Sequence, residues 1–271
     1  MSLPVSQLVD VPGARLFCEV QGSGPALLLV GHPMGASGFA AIAPLLAEDY
    51  TVVTYDPRGF ARSTIDDPDQ DGNPDLLAED ASRVLEAVDK VPAHVFGSSG
   101  GAVTGLALVA HYPGHVETLV AHEPPVALLL PEAEEASAGM HEIYDTYRDS
   151  GIGAAWASFA AFTGMGIGGQ VGDTDPPPPP PSVEEVATSE RFFSHGLLPI
   201  ALYQPDISAL QAALTRLVVA GGTASKGQFA QRTAVALAER LGTTLVEFPG
   251  GHTGFISDPK AFAELLRRTL T

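Results

Sequence analysis

Residues 93–110, AHVFGSSGGAVTGLALVA, decide the fold. The stretch opens with a short apolar run of strand length, Ala93–Phe96, which ends at Gly97. It closes with Ala102–Ala110, an apolar segment typical of a buried helix. The pattern predicts a strand, a tight glycine-rich turn and a helix in direct succession, which is a building unit of α/β proteins.

The same alternation extends in both directions along the chain. Strand-length apolar runs occur at Ala26–Val30, Thr51–Tyr55, Val116–Ala121, Leu217–Ala220 and Thr244–Phe248, and helical patterns at Phe39–Leu46, Leu76–Val88, Gln228–Leu241 and Pro259–Leu270. Strand runs without polar alternation are buried on both faces, as parallel strands covered by helices are. We therefore predict an α/β fold with a mostly parallel central sheet flanked by helices.

One long segment, Val126–Leu214, interrupts this alternation and contains no convincing strand. Its acidic, alanine-rich beginning, Leu130–Arg148, predicts a helix. Six consecutive prolines, Pro176–Pro181, predict an extended polyproline II spacer, and Ser182 then has the features of a helix N-cap. We predict one α/β domain with a helical cap inserted at residues 126–214. The core of that domain comprises residues 1–125 and 215–271.

Composition narrows the class of partner. The chain has 271 residues and a formal net charge of −18 at pH 7, which disfavours nucleic acid and anionic membranes as partners. The single cysteine, Cys18, excludes an internal disulfide, and no histidine spacing or glycine-rich fingerprint predicts a metal or nucleotide site. Neither a signal peptide nor a membrane-spanning run is evident. We expect a soluble cytoplasmic protein that acts on a small molecule without a cofactor.

The turn Gly97-Ser98-Ser99-Gly100-Gly101 matches the pattern G-x-S-x-G, with Ser99 at its centre. Small neighbours permit a tight turn between strand and helix that exposes the central hydroxyl. The backbone N–H of Gly100, at the start of the helix, is then free to bind an oxyanion. We predict that Ser99 is a nucleophile and Gly100 an oxyanion donor.

A second motif, Gly31-His32-Pro33-Met34-Gly35, follows an earlier strand. Here the chain resembles the α/β-hydrolase fold family, whose corresponding loop often reads His-Gly-x-Pro. Val30 stands in the usual histidine position, Gly31 and Pro33 match, and His32 is the variable residue. The resemblance implies that the backbone N–H of His32 faces the oxyanion. We expect the imidazole of His32 to line the pocket and not to act as the catalytic base. The resemblance covers Leu16–Val126 and Arg216–Leu270.

The third motif, Gly250-Gly251-His252-Thr253-Gly254, follows the last predicted strand. The family's catalytic base lies at this place, and the chain order of nucleophile, acid and base agrees with the family. The resemblance implies that His252 takes the Ser99 proton and returns it to the leaving group.

The chain departs from the family at the third member of the triad. The acid usually follows the strand predicted at Leu217–Ala220, but the loop here, Gly221–Lys226, has no carboxylate. Three explanations remain open. Glu123, at the end of the preceding strand, replaces the acid; or Ser99 and His252 act as a dyad, helped by a backbone carbonyl or Thr223; or the protein is not a hydrolase.

The motifs together predict a serine hydrolase that cleaves a small, mostly apolar carboxylic ester, thioester or lactone through an acyl-enzyme. The alternatives are a cofactor-free lyase or cyclase that uses the same pocket, and a ligand receptor without turnover. A cap should cover an apolar pocket and exclude water from it. The predicted wall residues are Met34, Trp156, Phe159, Phe162, Phe192 and Phe193.

Overall fold

The computed structural model describes residues 4–165 and 180–271. Its strands are β1 (Val5–Val11), β2 (Ala14–Gly22), β3 (Ala26–Val30), β4 (Thr51–Tyr55), β5 (Thr64–Ile65), β6 (Ala93–Ser98), β7 (Val116–His122), β8 (Arg216–Gly222) and β9 (Val246–Phe248). Its α-helices are α1 (Ala43–Leu46), α2 (Pro74–Ala87), α3 (Gly100–His111), α4 (Ala133–Thr163), α5 (Val183–Arg191), α6 (Leu197–Ala201), α7 (Ile207–Ala212), α8 (Phe229–Leu241), α9 (Gly254–Ser257) and α10 (Pro259–Leu270).

These strands form one sheet in the order β1-β2-β4-β3-β6-β7-β8-β9, with β5 paired to β2. Neighbours from β4 to β9 run parallel, whereas β1 and β2 are antiparallel at one edge. The predicted α/β fold with a mostly parallel sheet is confirmed. Strand β1 was not predicted, because side chains such as Val5 and Leu8 are exposed at the edge and leave no buried apolar pattern.

The core lies on both faces of the sheet. Every residue of β3 and β4 is buried, which explains their uninterrupted apolar and β-branched sequences. Residues of α2, α3 and α8 contribute to one apolar cluster, and residues of α1 and α10 contribute to another. The sheet is therefore the middle of three layers.

Helices α4 to α7 lie between β7 and β8, in the segment that we call the helical insert (residues 126–214). Helix α4 continues past its predicted end and bends at Gly151, whose φ of 81° only glycine adopts readily. The predicted N-cap is confirmed: the Ser182 hydroxyl accepts a hydrogen bond from the Glu185 N–H at 3.2 Å, and the Glu185 carboxylate accepts one from the Ser182 N–H at 2.7 Å. Most of the predicted polyproline spacer, residues 176–179, lies outside the described residues.

The carboxyl ends of four parallel strands position the candidate residues. His32 follows β3, Ser99 follows β6, Glu123 follows β7 and His252 follows β9. Parallel strands end at the same edge of a sheet, so the loops that carry these residues meet there.

Candidate active site

Ser99 occupies a strained turn between β6 and α3. Its backbone φ is 57° and its ψ is −125°, outside the helical and extended regions, and α3 begins at the next residue. A Cβ on Gly97 would lie 2.5 Å from the Gly101 carbonyl oxygen, and a Cβ on Gly101 would lie 2.1 Å from the Val30 carbonyl oxygen. The turn is therefore so tight that it requires glycine on both sides of the serine.

His252 and Glu123 form a close pair. The Nδ1 atom of His252 lies 2.6 Å from Oε2 of Glu123, a distance typical of a strong charge-assisted hydrogen bond. Glu123 is fully buried, and the His252 side chain is mostly buried. Because Nδ1 is engaged with Glu123, the other ring nitrogen of His252, Nε2, is the atom that can accept or release a proton.

The loop without an acid holds the carboxylate of Glu123. Oε1 of Glu123 accepts a hydrogen bond from the Gly222 N–H at 2.8 Å and another from the Ser225 hydroxyl. Burial by itself raises the pKa of Glu123, but the hydrogen bond from His252, the neighbouring imidazoles of His122 and His252 and the hydrogen bond from Ser225 outweigh it. The pKa of Glu123 is therefore below its usual value, and the group is ionised at neutral pH.

The backbone of Glu123 is as constrained as its side chain. Its φ is 50°, an uncommon value for a residue other than glycine, and its N–H donates to the Ala220 carbonyl at 2.9 Å. The end of β7 thus stays attached to β8, and the carboxylate is directed toward the loop that carries His252. Thr223, the other candidate partner of His252, has its hydroxyl 3.4 Å from the Gly250 carbonyl oxygen.

The loop after β3 approaches the start of α3. A Cβ on Gly100 would lie 2.9 Å from the His32 carbonyl oxygen, so the two backbones are close together. The first N–H groups of a helix have no partners within that helix, and Gly100 is the first residue of α3. The predicted oxyanion donors, His32 and Gly100, are thus neighbours beside Ser99.

A largely apolar cavity of about 210 Å³ contains both Ser99 and His252 in its lining, along with His32 and Gly100. The helical insert supplies much of the remaining wall. Four of the predicted wall residues line it, namely Met34, Trp156, Phe159 and Phe192. Residues of the wall that the sequence did not reveal include Met140, Leu197, Ile200, Phe229 and Phe255.

Two predicted wall residues do not line this cavity. Phe162 is 36% exposed and packs against Phe229, with ring centroids 5.3 Å apart. Phe193 is fully buried behind the wall, where it stacks on Tyr147 at 5.6 Å and contacts the edge of Trp156 at 4.8 Å. Phe193 supports the wall without reaching the cavity, because adjacent residues of a helical turn point in different directions.

A fully buried histidine lies behind the pair formed by His252 and Glu123. His122 is surrounded by Phe96, Phe248 and Phe262, and its ring centroid is 6.3 Å from that of His252. Neither of its ring nitrogens has a hydrogen-bond partner among the described residues. Burial lowers its pKa to about 4, so His122 is neutral at physiological pH.

The described ranges, 4–165 and 180–271, contain no group of three or more histidine, cysteine, aspartate or glutamate residues that could hold a metal ion. In the same ranges no helix has the length and apolar character needed to cross a membrane. Asp56 and Arg58, in the turn after β4, have structural contacts. The Asp56 carboxylate accepts from the Ala36 N–H at 2.7 Å, and Arg58 forms a buried ion pair with Asp80 at 2.6 Å.

Comparison with known proteins identifies the class. The family model described as alpha/beta hydrolase fold matches residues 25–163. The chain is also 35% identical over 270 residues to the uncharacterized hydrolase YraK of Bacillus subtilis (strain 168), covering 97% of this chain and 94% of that protein. The chain therefore belongs to the α/β hydrolase fold family and is an enzyme of that family.

More distant relatives extend over nearly the whole chain. Zearalenone hydrolase of Bionectria ochroleuca is 24% identical over 263 residues, covering 95% of this chain and 94% of that protein. Among solved structures, the esterase EaEST from Exiguobacterium antarcticum superposes with a TM-score of 0.76 at 15% identity, covering 98% of this chain and 99% of the other. At that identity the similarity establishes the fold.

Proposed function

We propose that the protein is a serine hydrolase that cleaves a small, mostly apolar carboxylic ester, thioester or lactone through an acyl-enzyme. The observation that carries this proposal is the 2.6 Å contact between His252 and the buried, ionised Glu123, because His252 lines the same cavity as Ser99. A nucleophile, a base and an acid that orients the base are the three parts that such a reaction requires. The loop after β8 lacks the acid that the family usually carries there, and that lack was the reason to consider a non-hydrolytic alternative. In this proposal Glu123 takes the place of the missing acid.

In the first half of the reaction, the Ser99 oxygen attacks the carbonyl carbon of the substrate while His252 takes the hydroxyl proton. Glu123 stabilises the resulting imidazolium and keeps its Nδ1–H directed away from the substrate. The tetrahedral intermediate collapses when the bond to the leaving oxygen or sulfur breaks. His252 then gives its proton to the leaving group, and the acyl group remains on Ser99.

In the second half, a water molecule attacks the acyl-enzyme while His252 takes one of its protons. The bond between the acyl carbon and Ser99 breaks, and the same proton returns to the serine oxygen. A carboxylic acid leaves, and Ser99 and His252 regain their initial protonation states. In both halves the negative oxygen of the intermediate receives hydrogen bonds from the backbone N–H groups of His32 and Gly100.

The helical insert acts as a cap in this proposal. Trp156, Phe159 and Phe192 line the cavity from the insert, while the reacting groups lie on the sheet side. A cavity of about 210 Å³ suits a small substrate, and its apolar wall suits an acyl or alcohol part made of hydrocarbon. The esterase EaEST, with the same fold, is consistent with ester chemistry.

A fluorophosphonate probe and a phenyl butanoate assay test the proposal. We expect the wild-type enzyme to be labelled at Ser99 and to release phenol, and Ser99→Ala to lose both. Ser150→Ala is the matched control, because Ser150 is exposed on the helical insert and should leave labelling and release unchanged. Ester cleavage that persists at its wild-type rate in Ser99→Ala would overturn the assignment of the nucleophile. An absence of both labelling and cleavage in the wild type would overturn the proposed function.

A further inference from the structure

One turn of the helical insert contributes directly to the cavity wall. The helix that runs from α5 to α6 contains a π turn, Phe192–Gly196, and such turns are frequent at functional sites. Phe192, at the start of this turn, and Leu197, directly after it, line the cavity. The position of the π turn therefore sets part of the space that a substrate can occupy.

The residue directly before the π turn binds the α/β core. Arg191 donates through Nη1 to the Pro68 carbonyl oxygen at 2.9 Å and through Nη2 to the Gln70 carbonyl oxygen at 3.1 Å. Both carbonyls belong to the segment between β5 and α2, residues 66–73, which we call the core loop. A guanidinium can hold two acceptors at once because its N–H groups form a rigid fork. Arg191 therefore connects the insert to the core loop at two points.

The turn after β4 also packs against Arg191. A Cβ on Gly59 would lie 2.4 Å from Nε of Arg191, and Gly59 has a φ of 73°, so both the space and the backbone favour glycine there. The guanidinium lies 5.7 Å from the centroid of the Phe60 ring, within the range of a cation–π contact. The arginine side chain thus fits between two loops of the core.

The end of the π turn is bound to the core loop as well. The Gly72 N–H donates to the His195 carbonyl oxygen at 2.7 Å, and Nδ1 of His195 lies 2.9 Å from Oδ1 of Asp71. The core loop contains four aspartates, so its charge attracts the cation of Arg191. The core loop therefore holds the turn on both sides of Phe192.

We infer that Arg191 is a positioning residue, which fixes Phe192 in the cavity wall and thereby limits the size of the substrate that the cavity accepts. The effect on substrates rests on the proposed function, but the position of the wall can be measured without it. Arg191 is not among the described residues that line the cavity, so it acts through Phe192. The core loop thus influences specificity from outside the cavity.

The single tryptophan of the chain reports where this wall lies. Trp156 stacks on Phe192, with centroids 5.7 Å apart and planes at 14°, and its Nε1–H donates to the Ser189 hydroxyl at 3.1 Å. Ser189 belongs to α5, two residues before Arg191. A turn that moves away from the core therefore changes the surroundings of the indole. Acrylamide quenching of the Trp156 fluorescence measures this change and needs no substrate.

Five variants form the design. Arg191→Leu removes the fork, and Arg191→Lys keeps the charge but cannot hold both carbonyls in the same way. Phe192→Ala removes the wall residue itself, and it is made alone and together with Arg191→Leu. Arg148→Leu is the matched control, because Arg148 is an exposed arginine of the insert that donates to Tyr144 of its own helix at 3.2 Å. For each variant we measure acrylamide quenching and the ratio of kcat/KM for phenyl octanoate to that for phenyl butanoate.

We expect Arg191→Leu to raise the octanoate-to-butanoate ratio by about tenfold, because the wall can then yield to a longer chain. Arg191→Lys should give a smaller rise, and Arg148→Leu should stay within about twofold of the wild type. In the Phe192→Ala background, Arg191→Leu should raise the ratio by less than about threefold, because the side chain through which it acts is gone. The quenching constant of Trp156 should rise about twofold in Arg191→Leu and stay unchanged in Arg148→Leu.

Quenching of Trp156 in Arg191→Leu that equals that of the wild type would overturn the inference. A ratio within about twofold of the wild type, or a rise as large in the Phe192→Ala background, would overturn it too. Thermal unfolding shows whether each variant is folded. If Arg191→Leu does not fold, Arg191→Lys replaces it in every comparison, and wild-type quenching and ratio in that variant overturn the inference. Failure of the wild type to hydrolyse either ester would overturn the proposed function, and quenching would then decide by itself whether Arg191 positions the wall.

Discussion

The backbone N–H of Gly222 donates to the carboxylate of Glu123 at 2.8 Å, and this contact connects the end of β8 to the acid at the end of β7. The hydroxyl of Ser225 donates to the same oxygen. The loop at Gly221–Lys226 has no carboxylate of its own and instead supplies the donors that hold one. The position of Glu123 at the end of β7 therefore matches the sequence of this loop, which provides hydrogen-bond donors in place of a carboxylate.

Replacing Glu123 by glutamine tests this arrangement. Glu123→Gln keeps the size of the side chain but removes the charge that stabilises protonated His252. We expect kcat for an ester substrate to fall by about 10³- to 10⁴-fold, the scale seen when a serine protease loses its triad acid. Glu117→Gln is the control, because Glu117 is an exposed residue of the same strand. A kcat for Glu123→Gln within about twofold of the wild type would restore the dyad explanation.

The buried histidine behind the pair should make the fold sensitive to acid. The pKa of His122 is about 4 in the folded protein and about 6.5 in the unfolded chain, so unfolding takes up a proton between these values. The stability that comes from keeping His122 neutral is fully present above about pH 6.5 and is lost as the pH falls toward 4. Between about pH 7.5 and pH 5, we expect the free energy of unfolding to fall by about 2 kcal/mol more in the wild type than in His122→Leu.

Urea unfolding at the two pH values measures this difference. The window lies above the range in which carboxylates such as Glu123 take up most of their protons, so histidines dominate the change. His141→Leu serves as the control, because His141 is exposed on the helical insert and lies outside the buried cluster around His122. Equal losses in the wild type and His122→Leu would contradict the burial of a neutral imidazole.

Replacing either of two helical glycines by alanine should change the free energy of unfolding, in opposite directions for the two positions. In Gly101→Ala the new methyl group would meet the Val30 carbonyl oxygen at 2.1 Å. We expect the free energy of unfolding to fall by more than about 2 kcal/mol, despite the higher helix propensity of alanine. In Gly153→Ala nothing lies within 4 Å of the new methyl, and we expect a gain of about 0.5–1 kcal/mol.

Chemical denaturation of both glycine variants measures these changes. A free energy of unfolding for Gly101→Ala that equals or exceeds that of the wild type would show that the turn at Gly97–Gly101 is less tightly packed against β3 than the distances indicate.

The two phenylalanines of α4 should affect substrate size differently. Phe159 lines the cavity, whereas Phe162 is partly exposed outside it. We expect Phe159→Ala to raise kcat/KM for phenyl octanoate relative to phenyl butanoate by about tenfold, because the cavity gains room for a longer chain. We expect Phe162→Ala to leave that ratio unchanged. A shift of equal size in both variants would contradict the boundary of the cavity.

Local motifs made much of the site predictable. The positions of Ser99, Gly100 and His252 follow from short sequence patterns at strand ends, because the turn after a buried strand needs particular small residues. The alternation of apolar strands and helices predicted the parallel sheet for the same reason. The edge strand β1 was missed, since exposed side chains at an edge leave no apolar pattern.

Other features depend on contacts between distant segments. Glu123 and His252 are 129 residues apart, and only the register between β7, β8 and β9 shows that they meet. The wall residues Ile200 and Phe229 belong to elements whose packing no local pattern reveals. Phe159 and Phe162 both follow the bend of α4 at Gly151, and tertiary packing decides that Phe159 lines the cavity and Phe162 does not. Sequence periodicity could not predict that packing.

The pairing of β7 with β8 has a consequence for how this enzyme can diversify. His122 lies opposite Ala220 in that pairing, although the whole helical insert separates the two strands in sequence. The distance between Glu123, after β7, and His252, after β9, therefore does not depend on the length of the segment that joins β7 to β8. Natural variation or deliberate exchange of the insert can reshape the roof of the cavity while these two residues keep their geometry. Substrate range and chemistry can thus evolve as separate modules of one chain.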